Sequence, residues 1–197
     1  MVISTKGERT RQGLLDSAIL RFAQDGFRGA SVSDIARDVG ITPGSVYAYF
    51  PNKRDLFLAA LDQDAERLIQ RAIEAISPDF VSDWTALFTA LTEAIDDHPL
   101  ARRVLLGGEG TNADRLLVLP AEARLHDLLV DRLRSAQSRG LVRADIEPNI
   151  MVDGLTTILI ALLIASLQTA GGAIDRQRAL GVVAVLDASL HTPVGAA

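Results

Sequence analysis

Apolar residues recur along nearly the whole chain at the spacing of an α-helix. From Leu14 to Ala23 they come as adjacent pairs four residues apart, which places them on a single helical face. Glycine and proline interrupt the pattern at intervals that suit helices of ordinary length. The interrupting residues are Gly26, Gly40, Pro51, Pro78, Pro99, Pro120 and Pro148. No segment alternates apolar and polar residues as a half-buried strand does, so the pattern predicts an all-α protein.

Two short helices separated by a brief turn are predicted within the first fifty residues. The first covers Ser31–Val39, because Ser31 can cap it and Asp34 follows at capping-box spacing. Gly40 ends this helix. The second covers Thr42–Phe50, because Thr42 can cap it and Pro43 stands at the first helical position. This arrangement is a helix-turn-helix, whose second helix can enter the major groove of DNA.

The rest of the chain is predicted to be helical as well. Asn52 and Asp55 have cap spacing for a long helix that extends to Ile76. Further helices are predicted at about residues 80–97, 100–109, 114–139, 148–171 and 174–190. The last two are the most apolar, and a helix that is apolar all round must be covered on every side. A second subunit is a candidate cover, so we predict a homodimer formed through the last two helices.

The sequence is interpreted as that of a cytoplasmic protein. Residues 1–10 lack the apolar core of a signal peptide. The longest apolar run, residues 155–167, has thirteen residues, whereas a helix that spans a bilayer needs about twenty. The run is therefore interpreted as part of a buried helix, and no membrane association is expected.

The composition argues against an enzyme. The chain has 48% hydrophobic residues, 5% aromatic residues and no cysteine, which favours a helical protein without thiol chemistry. His98, His126 and His191 do not have the spacing of metal ligands. Residues 107–110 have neither the spacing nor the preceding strand of a nucleotide-binding loop. We therefore expect no catalytic activity, no metal and no cofactor.

Charge is distributed unevenly along the chain. The formal net charge is -5, which alone does not suggest a nucleic-acid-binding protein. Residues 1–60 nevertheless carry eight Lys or Arg against six Asp or Glu, and the remainder carries twelve against nineteen. The asymmetry predicts a mildly basic end that faces an anion and an acidic end that faces solvent.

The second helix of the motif has side chains suited to DNA. Thr42, Gly44 and Ser45 are small or hydrogen-bonding groups near its N-terminus, and two tyrosines follow whose hydroxyls can contact phosphates or base edges. Lys53 lies in the first turn of the next helix, where a phosphate is favoured. Two alternatives stay open: Tyr47 is half-buried core, or Lys53 is an ordinary surface lysine.

These residues together resemble the DNA-binding domain of TetR-family repressors. The resemblance covers residues 8 to 60, where many positions agree in residue type and spacing. The matching residues are Gly26-Phe27, Ser31-Val32, Asp34-Ile35-Ala36, Val39-Gly40-Ile41-Thr42, Gly44-Ser45, Tyr47-Ala48-Tyr49-Phe50, Asn52-Lys53 and Leu56.

The resemblance implies a division of roles between two domains. Residues 1-52 would form a three-helix DNA-binding domain, and residues 53-197 a helical bundle for effector binding and dimerisation. The positions that contact DNA in family members are occupied here by Ser33, Thr42, Pro43, Gly44, Ser45, Tyr47, Tyr49 and Lys53. Pro43 and Gly44 offer only backbone or van der Waals contact, so base recognition would depend mainly on Ser45 and Tyr49. Ser33 departs from relatives that have a long basic side chain at its position.

The resemblance also implies an apolar cavity for an effector among the later helices. Candidate lining residues are bulky or isolated polar residues on those helices, namely Trp84, Phe88, Leu91, Leu105, His126, Leu129, Thr156 and Ile160. For each of them, ordinary core packing is the competing interpretation, and for His126 it is a partnered or exposed histidine. Because few candidates are charged, a hydrophobic effector is favoured, such as an acyl chain or an aromatic compound.

The resulting functional hypothesis is a repressor that a small hydrophobic effector releases from a palindromic operator. Two DNA-binding heads of a dimer would contact half-sites about 34–36 Å apart. A transcriptional activator and an effector-less dimeric DNA-binding protein remain as alternatives.

Overall fold

The computed structural model describes residues 6–74, 84–107, 119–168 and 176–190, and these ranges consist of helices joined by turns, with no strand. The prediction of an all-α protein is thereby confirmed. The helices, in chain order, are α1 Lys6–Gly29, α2 Val32–Val39, α3 Pro43–Val46, α4 Lys53–Glu74, α5 Trp84–Ala94, α6 Pro99–Leu105, α7 Pro120–Ser138, α8 Pro148–Gln168 and α9 Arg176–Leu190, with a 3₁₀ turn at Ile95–Asp97.

The predicted helices differ from these bounds in four places. The helix predicted at residues 100–109 ends at Leu105, and the helix predicted from residue 114 begins at Pro120, because Leu119 has extended backbone. The helix predicted over Thr42–Phe50 ends at Val46, and turns follow it. Pro51 contributes at the far end, because a proline disfavours helical backbone at the residue before it. α1 does not end at Gly26 but kinks there, since Gly26 has φ 74° and ψ 171°. The predicted helix ends at residues 76, 80, 109, 114, 171 and 174 lie outside the described residues, as do Pro78 and residues 108–110.

The chain folds as two compact units. The first consists of Met1–Arg67 and Asp97–Leu116, and the second of Leu68–Asp96 and Leu117–Ala197. The predicted division of roles at residues 52 and 53 concerns function and stays a prediction.

In the first unit, α1 packs against α2 and α6. Phe22 and Phe57 meet edge to face with ring centroids 5.1 Å apart, and Phe27 meets Phe57 at 5.3 Å. The close approach of α2 explains why a glycine stands at position 13 inside α1, where it costs roughly 1 kcal/mol of helix stability relative to alanine. A Cβ at Gly13 would lie 3.3 Å from Cγ1 of Val39, so glycine permits the close packing.

In the second unit, α8 packs against α5 and α7, and α5 also contacts α9. The buried face of α8 includes Val152, Leu155, Leu159 and Leu163. By length and composition alone, α8 could span a membrane. The apolar run at residues 155–167 is shorter than the helix that contains it, which has 21 residues, so the length of the run does not exclude a membrane span. Core helices of globular proteins share this length and composition, and the packing of α8 against two neighbours supports that interpretation.

An ion pair between Arg21 of α1 and Asp38 of α2 is expected to make the stability of the fold depend on pH. Arg21 donates two hydrogen bonds of 2.8 Å to the carboxylate of Asp38, and the Ser17 hydroxyl donates a third. The hydrogen bond from Arg21, followed by that from Ser17, lowers the pKa of Asp38 from 3.8 to about 2.

Because the folded-state pKa is depressed, Asp38 stabilises the fold above about pH 4, and this contribution is lost as pH falls towards 2. We expect Asp38→Asn to reduce the slope of unfolding free energy against pH in this window. Denaturant unfolding at a series of pH values measures the slope. Identical slopes for the two proteins would show that Asp38 is not linked to stability.

Candidate nucleic-acid interface

Side-chain and backbone caps hold the helix-turn-helix in place, as the sequence predicts. The Ser31 hydroxyl accepts a hydrogen bond from the backbone N–H of Asp34 at the start of α2. Gly40 ends α2 in the left-handed conformation, with φ 74° and ψ 30°, and its N–H bonds the carbonyls of Ala36 and Arg37. Thr42 then caps α3 by accepting a hydrogen bond from the N–H of Ser45. The turn between the helices is therefore fixed by local bonds.

α3 is anchored by Val46, whose side chain is buried, and by Phe50 just beyond it. The backbone between them tightens, because the N–H of Tyr49 bonds the carbonyl of Val46 at 2.9 Å, three residues back. The side chains from Thr42 to Ser45 are all exposed. α3 therefore buries Val46 and exposes Thr42 to Ser45, as expected of a short helix that faces a ligand.

The two tyrosines differ in exposure. Tyr47 is 52% exposed, which excludes the alternative that it is half-buried core, whereas Tyr49 is half-buried. The hydroxyls of Thr42 and Ser45 lie 2.8 Å apart and share a hydrogen bond, so each orients the other. Ser33 is exposed on α2.

Lys53, at the start of α4, has partners within the protein. Its ammonium donates a hydrogen bond of 3.3 Å to the backbone carbonyl of Arg28 and lies 5.1 Å from the ring centroid of Phe27. These contacts fix Lys53 beside the end of α1. An ammonium has three donors, so this geometry leaves capacity for a phosphate.

Gly44 is not required by the backbone of α3. It is exposed, its φ is not positive, and a Cβ built there would meet only the Thr42 hydroxyl oxygen, at 4.0 Å. Gly40, by contrast, has a positive φ that other residues adopt with strain. The lack of a side chain at Gly44 is therefore explained better by close approach of another molecule than by the fold.

The sequence did not reveal the buried carboxylate of Asp64 in the first unit. Asp64 accepts hydrogen bonds from the N–H groups of Leu100 and Ala101, and its other oxygen lies 3.0 Å from Nδ1 of His98. His98 lies at the start of α6, but its side chain does not cap the helix. Asp64 supplies the cap from α4, 36 residues earlier in sequence, and no local pattern indicates such a pair.

A cleft of about 360 Å³ in the first unit adjoins this carboxylate. Its lining is largely charged or polar and comprises Asp16, Ile19, Leu20, Asp64, Arg67, Asp97, His98 and Pro99. None of the predicted effector-contacting residues lines it.

The predicted effector-contacting residues divide between the two units. Leu105 is buried on α6 in the first unit, and the other seven lie on α5, α7 and α8 of the second. Of these, Trp84, Leu91, Leu129 and Thr156 are buried. The Thr156 hydroxyl donates to the carbonyl of Val152 at 2.8 Å, and Nε2 of His126 lies 3.2 Å from Asp153. The His126 contact fits its alternative interpretation as a partnered histidine.

Known proteins similar to this chain include regulators with a helix-turn-helix, the motif described above. Residues 14–60 match the bacterial regulatory proteins of the tetR family. The HTH-type transcriptional regulator UidR of Escherichia coli K12 is 28% identical over 146 residues, which cover 73% of this chain and 74% of UidR. The HTH-type transcriptional repressor AcnR of Corynebacterium diphtheriae is 25% identical over 192 residues, which cover 93% of this chain and 94% of AcnR.

A solved structure extends the match to the fold. The transcriptional regulator FadR from Bacillus subtilis, in complex with stearoyl-CoA, has a TM-score of 0.65 at 18% identity, with 91% of this chain and 99% of FadR covered. Its helical architecture is therefore shared by the protein described here.

Proposed function

We propose that this chain is a DNA-binding transcriptional regulator of the TetR family, a repressor whose homodimer binds a palindromic operator. A small hydrophobic effector bound in the helical second unit releases it. The observation that carries this proposal is the exposure of Thr42 to Ser45 and of Tyr47 on a motif whose helices are capped by Ser31, Gly40 and Thr42. A protein with this role acts on the chromosome, which places it in the cytoplasm.

Recognition of bases is assigned to Ser45 and Tyr49, and backbone contact to the residues around them. Ser45 has its hydroxyl oriented by Thr42, so little side-chain entropy is lost when it bonds a base edge. Ser33, Thr42, Pro43, Gly44, Tyr47 and Lys53 position the helix on the DNA backbone.

Dimerisation is assigned to α8 and α9. Val182 and Val185, three residues apart on α9, are 36% and 69% exposed. Contiguous exposed apolar side chains on a helix mark a surface that another subunit can cover. Two heads in one dimer are needed because each alone makes too few contacts for specific binding.

Replacement of Val185 tests the dimer. We expect Val185→Asp to shift the protein towards monomer, because a carboxylate buried in an apolar interface lacks a partner, and to weaken operator binding accordingly. Sedimentation equilibrium and DNA titration measure the two effects. Asp131→Asn, on an exposed part of α7, is the control; a Val185→Asp protein that stays dimeric would exclude this face of α9 from the interface.

The effector is proposed to be an acyl compound. Most of the candidate lining residues are apolar, and the structurally similar FadR was solved with stearoyl-CoA. A ligand that prefers the state unable to bind DNA shifts the population towards it. Stearoyl-CoA is therefore the first probe: it should raise the melting temperature by mass action and reduce operator binding. Coenzyme A without the acyl chain is the control, and equal effects of both would count against an apolar site.

The experiment that tests the proposal is selection of DNA from a random pool by the purified protein, followed by binding at several salt concentrations. Enrichment of a palindrome with steep salt dependence is the expected result. A dimer that enriches no sequence would contradict the operator and leave the helix-turn-helix as a structural motif.

Lys53 and Ser45 should affect binding in different ways. Lys53→Ala should weaken binding to all sequences alike and lower the salt slope by about one, whereas Ser45→Ala should change the preferred sequence. Lys53 also bonds Arg28, so thermal unfolding must accompany the titrations to separate a loss of folded protein from a loss of contact. If neither variant alters DNA binding, the recognition surface is placed wrongly.

A further inference from the structure

Arg11, which lies outside the helix-turn-helix, has its guanidinium over the ring of Phe50. Phe50 follows the recognition surface, which consists of Thr42 to Ser45, Tyr47 and Tyr49. Arg11 lies on α1, is exposed, and has its guanidinium carbon 5.2 Å from the ring centroid of Phe50. Phe50 follows Tyr49 directly, so its Cα is about 3.8 Å from that of Tyr49. The ring is otherwise enclosed, since Phe50 is only 4% exposed.

Arg11 differs in its charge partners from three other arginines of the first unit. Arg21, Arg37 and Arg67 form ion pairs of 2.7–2.8 Å with Asp38, Asp34 and Asp16. Among the described residues, no carboxylate forms an ion pair with Arg11. A positive charge is thus held at a fixed place beside the recognition surface and is not neutralised there by the protein.

The position of the guanidinium over the ring determines what this charge can bind. The cation–π attraction to Phe50 uses none of the guanidinium N–H donors as hydrogen bonds, so they stay available to another acceptor. Those donors match two oxygens of a phosphodiester, and such bidentate bonds are among the strongest in proteins. Because the ring already restricts the side chain, less conformational entropy is lost on binding.

We infer that Arg11, oriented by Phe50, binds a phosphate of the DNA backbone next to the site contacted by Tyr47 and Tyr49. The inference rests on the proposed function and adds α1 to the DNA interface. Because a phosphate carries no base identity, Arg11 contributes affinity and register rather than sequence preference.

Two substitutions separate this role from simple coverage of Phe50. Arg11→Met keeps an unbranched apolar cover over the ring and removes the charge, whereas Arg11→Lys keeps the charge and removes the fork of donors. Arg134→Met makes the same charge change on α7 in the second unit, where Arg134 pairs with Asp131, and is the control.

The measurement is affinity for the selected operator and for a duplex of unrelated sequence, each over a range of salt concentrations, with thermal unfolding of every variant. For Arg11→Met we expect about a tenfold loss of affinity for both duplexes, a fall of about 0.9 in the magnitude of the salt slope, and an unchanged melting temperature. Arg11→Lys should keep the slope and lose part of the affinity. Arg134→Met should change neither.

The inference is overturned if Arg11→Met binds both duplexes with wild-type affinity and slope. It is also overturned if affinity falls together with the melting temperature while the slope stays constant, because Arg11 then only supports the fold. These outcomes leave the proposed function intact. A wild-type protein with no salt-dependent DNA binding would instead remove the proposed function itself.

Discussion

Substitution of Gly44 by alanine should abolish most operator binding without harming the fold. The exposed Gly44 lies in α3, and a Cβ there meets only the Thr42 hydroxyl oxygen at 4.0 Å. Alanine in place of a helical glycine stabilises by roughly 0.5–1 kcal/mol. A methyl group between α3 and a closely approaching DNA strand would, in contrast, separate the polar groups that must meet.

We expect at least about a tenfold loss of operator affinity for Gly44→Ala, equivalent to roughly 1.4 kcal/mol, with an equal or higher melting temperature. A fall in operator affinity with no fall in melting temperature identifies a lost DNA contact, because a variant that merely unfolds would show a fall in both. Gly154→Ala is the control for the melting temperature alone, because a Cβ at this helical glycine of α8 meets no atom within 4 Å. If Gly44→Ala binds the operator as the wild type does, α3 does not approach DNA closely at this position.

Substitution of Asp64 should cause the largest loss of stability of any change proposed here. The side chain is only 2% exposed and accepts hydrogen bonds from Leu100 and Ala101, whose backbone N–H groups have no cap from His98. Pro99 has no N–H to bond. Removal of the carboxylate leaves these buried donors and the His98 ring without their acceptor, and such a loss costs about 3–5 kcal/mol.

We expect Asp64→Ala to lower the free energy of unfolding by about that amount, a large fraction of the 5–15 kcal/mol typical of whole proteins. Asp64→Asn keeps one acceptor oxygen and should lose less. Asp131→Ala is the control, because Asp131 is exposed and its pair with Arg134 is worth about 0–1 kcal/mol. Denaturant unfolding measures all three, and equal stability of the Asp64→Ala and Asp131→Ala proteins would show that the buried cap is unimportant.

The sequence predicted the helix-turn-helix well because its determinants are local. Ser31, Gly40 and Thr42 bond to backbone groups within five residues, so their roles follow from residue type and spacing. Proline acts just as locally, since Pro51 disfavours helical backbone at Phe50, the last residue of the helix predicted over Thr42–Phe50.

The effector site stays a prediction, since lining a cavity depends on how distant helices pack. The candidate lining residues were chosen because they are bulky or are isolated polar residues. Seven of them lie on α5, α7 and α8, but Leu105 lies in the other unit. Thr156 and His126 look like ligand groups in the sequence, yet in the structure their polar atoms bond to Val152 and Asp153.

The sequence by itself determined the helical class, the caps and turn of the motif, and the exposed row from Thr42 to Ser45, because each depends on bonds between residues close in the chain. The tertiary structure alone decided three further contacts: Asp64 capping α6, Gly13 admitting Val39, and Arg11 lying over Phe50. These pairs are separated by 26 to 39 positions, and only the packing of helices, driven by burial of apolar surface, brings them together.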